Sequence, residues 1–230
     1  MHYLPLNEYA ITISFCETPN ERSRKAISRL DRALQAHPFP GFLEAVPAYV
    51  SLTVFYDVKV IQRQQVIRYL EDLQQWEEQH KGGGEASVVD IPVCYGGVFG
   101  PDLPFVAAHT GLTETAVIDI HRSAIYQVHM IGFMPGFAYL GGMSDRIASP
   151  RLATPRPHVP PGSVGIAGTQ TGVYPLVSPG GWQLIGRTPL RLFDANRPSP
   201  SLLAAGQQVR FYPIDADMFE NLTNDTPDAD

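Results

Sequence analysis

Between Gly132 and Gly181 the chain carries ten glycines and eight prolines, and no other feature restricts its folding as strongly. Each proline fixes its own φ, removes a backbone donor and pushes the residue before it out of the helical region. Each glycine weakens regular structure and opens turn conformations. A stretch punctuated in this way holds no long helix. Short strand-like runs lie between and beyond the breaks, at 125–131, 163–167, 173–177, 182–186 and 208–213. Many short strands joined by Gly/Pro turns predict a barrel or a sandwich. Two short helices fit near 102–108 and 113–121.

The first 94 residues follow another pattern. Ile11, Ile13 and Phe15 alternate with Thr12 and Ser14, as in a half-buried strand. Thr18-Pro19-Asn20-Glu21 has the form of a capping box with proline at the first helical position, so a helix is expected from there. Ile27, Leu30 and Leu34 continue it at helical spacing, and His37-Pro38 ends it. Residues 42–57 read as two strands broken at Pro47-Ala48, 62–79 as a second amphipathic helix, and Val88 to Cys94 as a further strand. Gly82-Gly83-Gly84 reads as a flexible break. Strand, helix, strand, strand, helix, strand is the ferredoxin-like order. The expected class is α+β, with a ferredoxin-like domain at 1–94, a β-barrel domain at 95–214 and a loose acidic tail at 215–230.

Apolar residues form 44% of the chain and charged residues 17%, enough to bury a core. A net charge of −6 argues against nucleic-acid binding and against attraction to anionic membranes. No run approaches the length of a membrane span, and the amino terminus lacks the form of a secretory signal. Cys16 and Cys94 have no CxxC spacing and read as small hydrophobes in a reducing compartment, which points to the cytoplasm.

Charge is unevenly placed. From His121 to Pro213 there is no lysine and no glutamate, and eight arginines face two aspartates. Arginine's planar fork suits carboxylate or phosphate, so an anion pocket is one reading. Pairing with backbone carbonyls or partner chains is the other. Arg151 and Arg156 flank the proline-stiffened track Pro155-Arg156-Pro157-His158-Val159-Pro160-Pro161, which reads as a rigid holder for guanidinium groups or as a structural strap. Gln170 and Thr171 lie in a glycine-flanked polar stretch, and Gln183 follows Gly180-Gly181-Trp182. They offer amide and hydroxyl contacts to a ligand, or form hairpins around a core tryptophan. His121 ends the helix expected from Thr113, where it serves as a proton carrier or as a buried, hydrogen-bonded histidine. No GK[ST] follows Gly82-Gly83-Gly84, and no GxSxG or HExxH occurs. No metal site is expected from this chain alone.

Several motifs in succession carry a family resemblance. They are Cys94-Tyr95-Gly96-Gly97, Gly100-Pro101-Asp102-Leu103, Gly132-Phe133-Met134-Pro135-Gly136-Phe137, Thr154-Pro155-Arg156, Val159-Pro160-Pro161-Gly162-Ser163-Val164-Gly165, Gln170-Thr171-Gly172-Val173-Tyr174-Pro175, and Ser178-Pro179-Gly180-Gly181-Trp182 through Thr188. In this order they resemble the KipI / allophanate hydrolase subunit 1 family, and within it the members that serve as the B subunit of 5-oxoprolinase. The family's Gly-Asp before the last strand is here Gly206-Gln207, which weakens any role for an acid at that turn.

The resemblance implies a cyclophilin-like barrel after the ferredoxin-like domain. It also implies membership of an ATP-dependent 5-oxoprolinase, with KipA-like (C) and LamB/YcsF-like (A) subunits as partners. ATP, with Mg2+, would be bound together with those partners, and the chain alone would show little activity. Within that picture Arg151, Arg156 and Arg187 are nominated for anions, Gln170, Thr171 and Gln183 for orienting the amide, and His121 for proton transfer. A KipI-like inhibitor of a sporulation-type histidine kinase is the alternative, as is a subunit of another amide- or urea-processing enzyme. A prolyl isomerase would follow from the barrel alone, by fold analogy.

Overall fold

Alternating apolar residues and two amphipathic helices build the first of two compact units, Met1–Glu85 and Ala86–Asp230. The computed structural model describes residues 2–18, 20–79 and 87–224. Pro19, the Gly82-Gly83-Gly84 break and the tail from 225 onward lie outside these. The first unit contains β1 (His2–Pro5), β2 (Ala10–Ser14), α1 (Glu21–Ala36), β3 (Phe42–Pro47), β4 (Ser51–Tyr56) and α2 (Arg63–Gln79). The strands form one antiparallel sheet in the order β1-β2-β4-β3. Ile11, Ile13, Leu52, Val54 and Tyr56 on the sheet pack with Ile27, Leu30 and Leu34 of α1 and Val66 and Leu70 of α2. Burying each such side chain contributes about 1.5–3 kcal/mol.

The start of α1 differs from the expected box. Asn20 is the cap: its side chain accepts from the Ser23 N–H at 2.9 Å, and its own N–H donates to the Ser23 hydroxyl at 3.3 Å. The reciprocal pair stands two residues later than Thr18 and Glu21 would place it, because asparagine and serine meet the same geometric need.

The strand expected to complete this sheet belongs elsewhere. β5 (Val88–Tyr95) lies in the second unit, parallel to β13 (Gln208–Pro213) with Ile91 opposite Phe211. Ile91, Pro92, Val93 and Cys94 are buried in succession, as in a strand covered on both faces. The edge of the first sheet is filled by β1 instead. The ferredoxin-like order ending at residue 94 is therefore corrected: the division falls after Glu85, and the fourth strand comes from the amino terminus.

The second unit continues with α3 (Leu103–Thr110), α4 (Glu114–Ser123), β6 (Ile125–Ile131), β7 (Ala138–Gly141), β8 (Arg156–Val159), β9 (Ser163–Ala167), β10 (Gln170–Val173), β11 (Ser178–Gly180) and β12 (Gln183–Arg187), then β13 and α5 (Ala216–Asn224). Seven strands close into a barrel in the order β10-β7-β6-β13-β5-β12-β9, while β8 and β11 pair as a separate ribbon. Closure leaves no open sheet edge. Tyr126, Val128, Leu140, Val164, Ile166, Ile185 and Phe211 belong to its core. The run at 173–177 is not a strand beyond Val173; β10 begins at Gln170 instead. The tail expected to be loose from 215 forms α5, which is held by buried Phe219 against Phe99 at a ring distance of 4.7 Å.

One glycine is required for two separate reasons. Gly162 has φ +80°, and a Cβ there would meet the Thr188 carbonyl oxygen at 2.2 Å. Gly162→Ala is expected to destabilise the barrel unit by about 2 kcal/mol, from backbone strain plus the displaced turn. Urea unfolding followed by far-UV circular dichroism measures this, and an unchanged midpoint would contradict it.

Candidate functional site

Strand β12 organises the nominated residues, and it separates them. Trp182, just before it, is packed among Phe137, Tyr139 and Tyr174. The Arg151 guanidinium lies 5.9 Å from the Trp182 ring centroid, within range of a cation–π contact. Arg156 donates to Asp102 Oδ1 at 2.5 Å and to the Trp182 carbonyl at 3.4 Å. Gln183 donates its amide to the Pro150 carbonyl at 2.8 Å, and the Leu152 N–H donates to the Gly181 carbonyl at 2.7 Å. The segment from Pro150 to Arg156 is thus tied to β12 at several points. Arg156 is where this segment overlaps the proline track, and at the other end of the track the Pro161 carbonyl holds Arg187.

Asp102 is the centre of this arrangement. Its backbone N–H donates to the Leu184 carbonyl at 2.9 Å, and its Oδ2 accepts from the Leu184 N–H at 2.6 Å. An aspartate just before a helix normally caps it, yet Asp102 makes no cap bond to α3. Its carboxylate spans to β12 and to Arg156 instead.

Arg187 sits at the far end of β12, about 13 Å from Gln183 at the rise of an extended strand. It lines a cleft of about 530 Å³ together with Pro161, Leu176, Arg191, Phe193 and Phe219. Its Nε donates to the Pro161 carbonyl at 2.8 Å, and its guanidinium lies 5.9 Å from the Phe219 ring centroid. Burial pulls its pKa down from the ordinary value.

His121 is fully buried and stacks on Phe211 at 4.7 Å. Its hydrogen bonds fix the tautomer. The Thr171 hydroxyl donates to the Gly165 carbonyl at 3.0 Å, so at 3.0 Å from Nε2 it accepts the His121 proton. Nδ1 then accepts from the Tyr95 hydroxyl at 2.8 Å. Burial lowers the His121 pKa to about 3, because the charged form is expelled from an apolar interior. The expected proton-carrier role is corrected here: a neutral ring with no exposure and both nitrogens engaged has no route to a substrate. Thr171 is likewise committed to the core. Gln170 opens β10 opposite Ala167 and is partly exposed.

Arg187 and Arg191 share one cleft, and the other arginines do not join them there. Arg122 pairs with Asp119 at 2.8 Å, Arg210 with Asp90 at 2.7 Å, and Arg197 with Asp194 at 3.4 Å, with Arg191 at 3.8 Å from the same Asp194. Asp90, Asp102 and Asp119 precede residue 121, so part of the positive charge of 121–213 is balanced from outside that segment. At the Gly206 turn, Gln207 Oε1 accepts from the Ala204 N–H at 2.8 Å, the kind of local bond an aspartate makes in a turn. Cys16 and Cys94 are free thiols. Among the described residues no three His, Cys, Asp or Glu side chains group to hold a metal ion, and no helix is long and apolar enough to cross a membrane.

The family model described as carboxyltransferase domain, subdomain C and D, matches residues 1–203. The chain belongs to this carboxyltransferase-domain family. Within it, the chain is 47% identical over 220 residues to the B subunit of 5-oxoprolinase from Bacillus subtilis, covering 91% of each. It is 44% identical over 211 residues to the B subunit of 5-oxoprolinase from Escherichia coli O157:H7, covering 90% of this chain and 94% of that one. The crystal structure of TTHA0988 superposes on 90% of the chain with a TM-score of 0.80 at 39% identity, and the chain spans 40% of that longer protein. The family read from the motif succession is the one these relatives share.

Proposed function

We propose that this carboxyltransferase-family chain is the B subunit of an ATP-dependent 5-oxoprolinase, which opens 5-oxo-L-proline to L-glutamate as ATP is hydrolysed. The observation that carries this reading is identity of 44–47% to two proteins of that name, over about nine tenths of both lengths. The reading takes the barrel as cyclophilin-like and the setting as the cytoplasm. Its partners are the KipA-like (C) and LamB/YcsF-like (A) subunits.

The chain has no phosphate-cradling glycine loop followed by GK[ST], and among the described residues no three His, Cys, Asp or Glu side chains group to hold a metal ion. In this reading ATP and its Mg2+ are bound together with the partner subunits. ATP supplies the electrophilic activation that an unstrained lactam carbonyl lacks. This chain supplies binding surface and fixed cationic donors.

Co-expression of the tagged chain with its neighbouring genes tests the assembly. Recovery of the two partner subunits in fixed proportion is expected. Recovery of a histidine kinase in their place would contradict the proposal and favour a KipI-like inhibitor.

A further inference from the structure

Of the three arginines nominated for anions, Arg156 is neutralised by Asp102 and Arg151 lies over Trp182. Arg187 differs from both. Only its Nε is engaged, by the Pro161 carbonyl, and its terminal nitrogens have no hydrogen-bond or ion-pair partner among the described residues. Its position is nonetheless fixed, by that bond and by the Phe219 ring. The cleft it faces includes a second guanidinium, Arg191, and no acidic residue. Arg191 is only weakly compensated, since Asp194 lies 3.8 Å away and also serves Arg197 at 3.4 Å. Burial acts against the Arg187 cation, and no carboxylate offsets that penalty. An unpaired, preoriented fork in a concave site calls for an anion.

The walls define the kind of anion. Phe193, Phe219, Leu176, Leu190 and three prolines supply apolar surface, and no lysine is present. A nucleoside triphosphate would bring several negative charges and calls for a glycine-rich cradle of backbone N–H groups, which this lining lacks. Thr188, Thr223 and Asn224 add hydroxyl and amide groups to the lining, so a small body with one negative charge, an apolar ring edge and an amide matches it. The volume of about 530 Å³ lies within the usual range for small-molecule sites.

We infer that this cleft binds a small monocarboxylate, with the acid group on the free edge of Arg187 and the ring carbons against Phe219 and the neighbouring prolines. Resting on the 5-oxoprolinase reading, the occupant is the 5-oxo-L-proline substrate. The cleft is then the place where substrate is held before partner subunits act on its amide.

Isothermal titration of the full chain with 5-oxo-L-proline, 2-pyrrolidinone and inorganic phosphate tests this. The first ligand is expected to bind. The second, the same ring without its carboxylate, is expected to bind at least roughly tenfold more weakly, and phosphate also more weakly. Arg187→Gln is expected to lower affinity for 5-oxo-L-proline by roughly tenfold or more, and Arg187→Lys to give an intermediate value. Arg122→Gln, on the surface and far along the chain from the cleft, should leave binding unchanged. Thermal melts report whether each variant is folded. If Arg187→Gln is not, Leu176→Asp, which places a like charge at the rim, should weaken binding instead. The inference is overturned if the wild-type chain binds no 5-oxo-L-proline up to roughly 10 mM, if pyrrolidinone binds equally well, if phosphate binds more tightly, or if the folded Arg187→Gln chain binds like wild type. Glutamate release by the assembled enzyme, with 5-oxo-L-proline binding indifferent to Arg187, would remove the cleft and leave the place in the complex intact. Arg187-dependent carboxylate binding without glutamate release by the assembly would do the reverse.

Discussion

Asp102→Ala is expected to destabilise the barrel unit by about 3–5 kcal/mol, the range for removing one partner of a buried ion pair. The Asp102 and Arg156 side chains are 12% and 27% exposed, so solvent screens their pairing only in part. Alanine leaves the Arg156 guanidinium without its carboxylate and the Leu184 N–H without its acceptor. It also loosens the link between the Pro150–Arg156 segment and β12. Asp102→Asn retains an oxygen for Leu184 but presents a neutral amide to Arg156, so an intermediate loss is expected. Adding Arg156→Met to Asp102→Ala removes the stranded charge. The double variant should therefore lose less than the two single losses added together. Urea unfolding of the wild type, of Asp102→Ala, Asp102→Asn and Arg156→Met, and of the double variant checks these statements. Strictly additive losses, or an unchanged midpoint for Asp102→Ala, would contradict them.

His121→Ala is expected to cost about 3–5 kcal/mol as well, because it removes a buried ring and leaves the Tyr95 hydroxyl without a partner. His121 also gives stability a definite pH dependence. In the folded chain its pKa lies at about 3. In the unfolded chain it returns to about 6.5. Between these values the unfolded state takes up a proton that the folded state refuses, so the group's contribution is complete above about pH 6.5 and falls away towards pH 3. From pH 7 to pH 5 the loss is about 2 kcal/mol. The groups around the ring are the Tyr95 and Tyr126 phenols, Phe211 and Thr171, and burial raises both phenols, so neither titrates in this window. His121→Gln should reduce the difference in urea midpoint between pH 7 and pH 5 by the corresponding amount. An unchanged difference would show that the ring is not the group responsible.

Local pattern made much of this fold legible. Ile27, Leu30 and Leu34 placed the core face of α1, and Pro47 marked the break between β3 and β4. The Gly/Pro punctuation separated a short-stranded second unit from the helical first one. Non-local pairing was not legible. The apolar run of β5 reads as a buried strand of either sheet, and only its register beside β13 decides between them. β1 escaped because four residues ending in proline carry almost no periodic signal. α5 escaped because acidic composition outweighed one apolar anchor, Phe219.

The site was legible as a set of residue types and not as an arrangement. Arg151, Arg156 and Arg187 were singled out for charge, yet Arg156 is balanced by Asp102, some fifty residues earlier in the chain, while Arg151 lies over Trp182 and Arg187 faces a cleft. Asp102 in particular looks like a helix cap until Leu184 is seen beside it. The same limit applies to His121. Its place at the end of α4 was readable, while its burial depends on Tyr95, Thr171 and Phe211, from three other strands.

The central claim is that this chain is a necessary part of an ATP-dependent lactam-opening enzyme. The most direct measurement is glutamate release from 5-oxo-L-proline by the purified three-subunit mixture, with ATP and Mg2+, against the same mixture lacking this chain. Release that requires ATP, vanishes on omission, returns on adding the chain back, and is absent with the chain alone is the expected result. Equal release without the chain, or robust ATP-dependent release by the chain on its own, would contradict it.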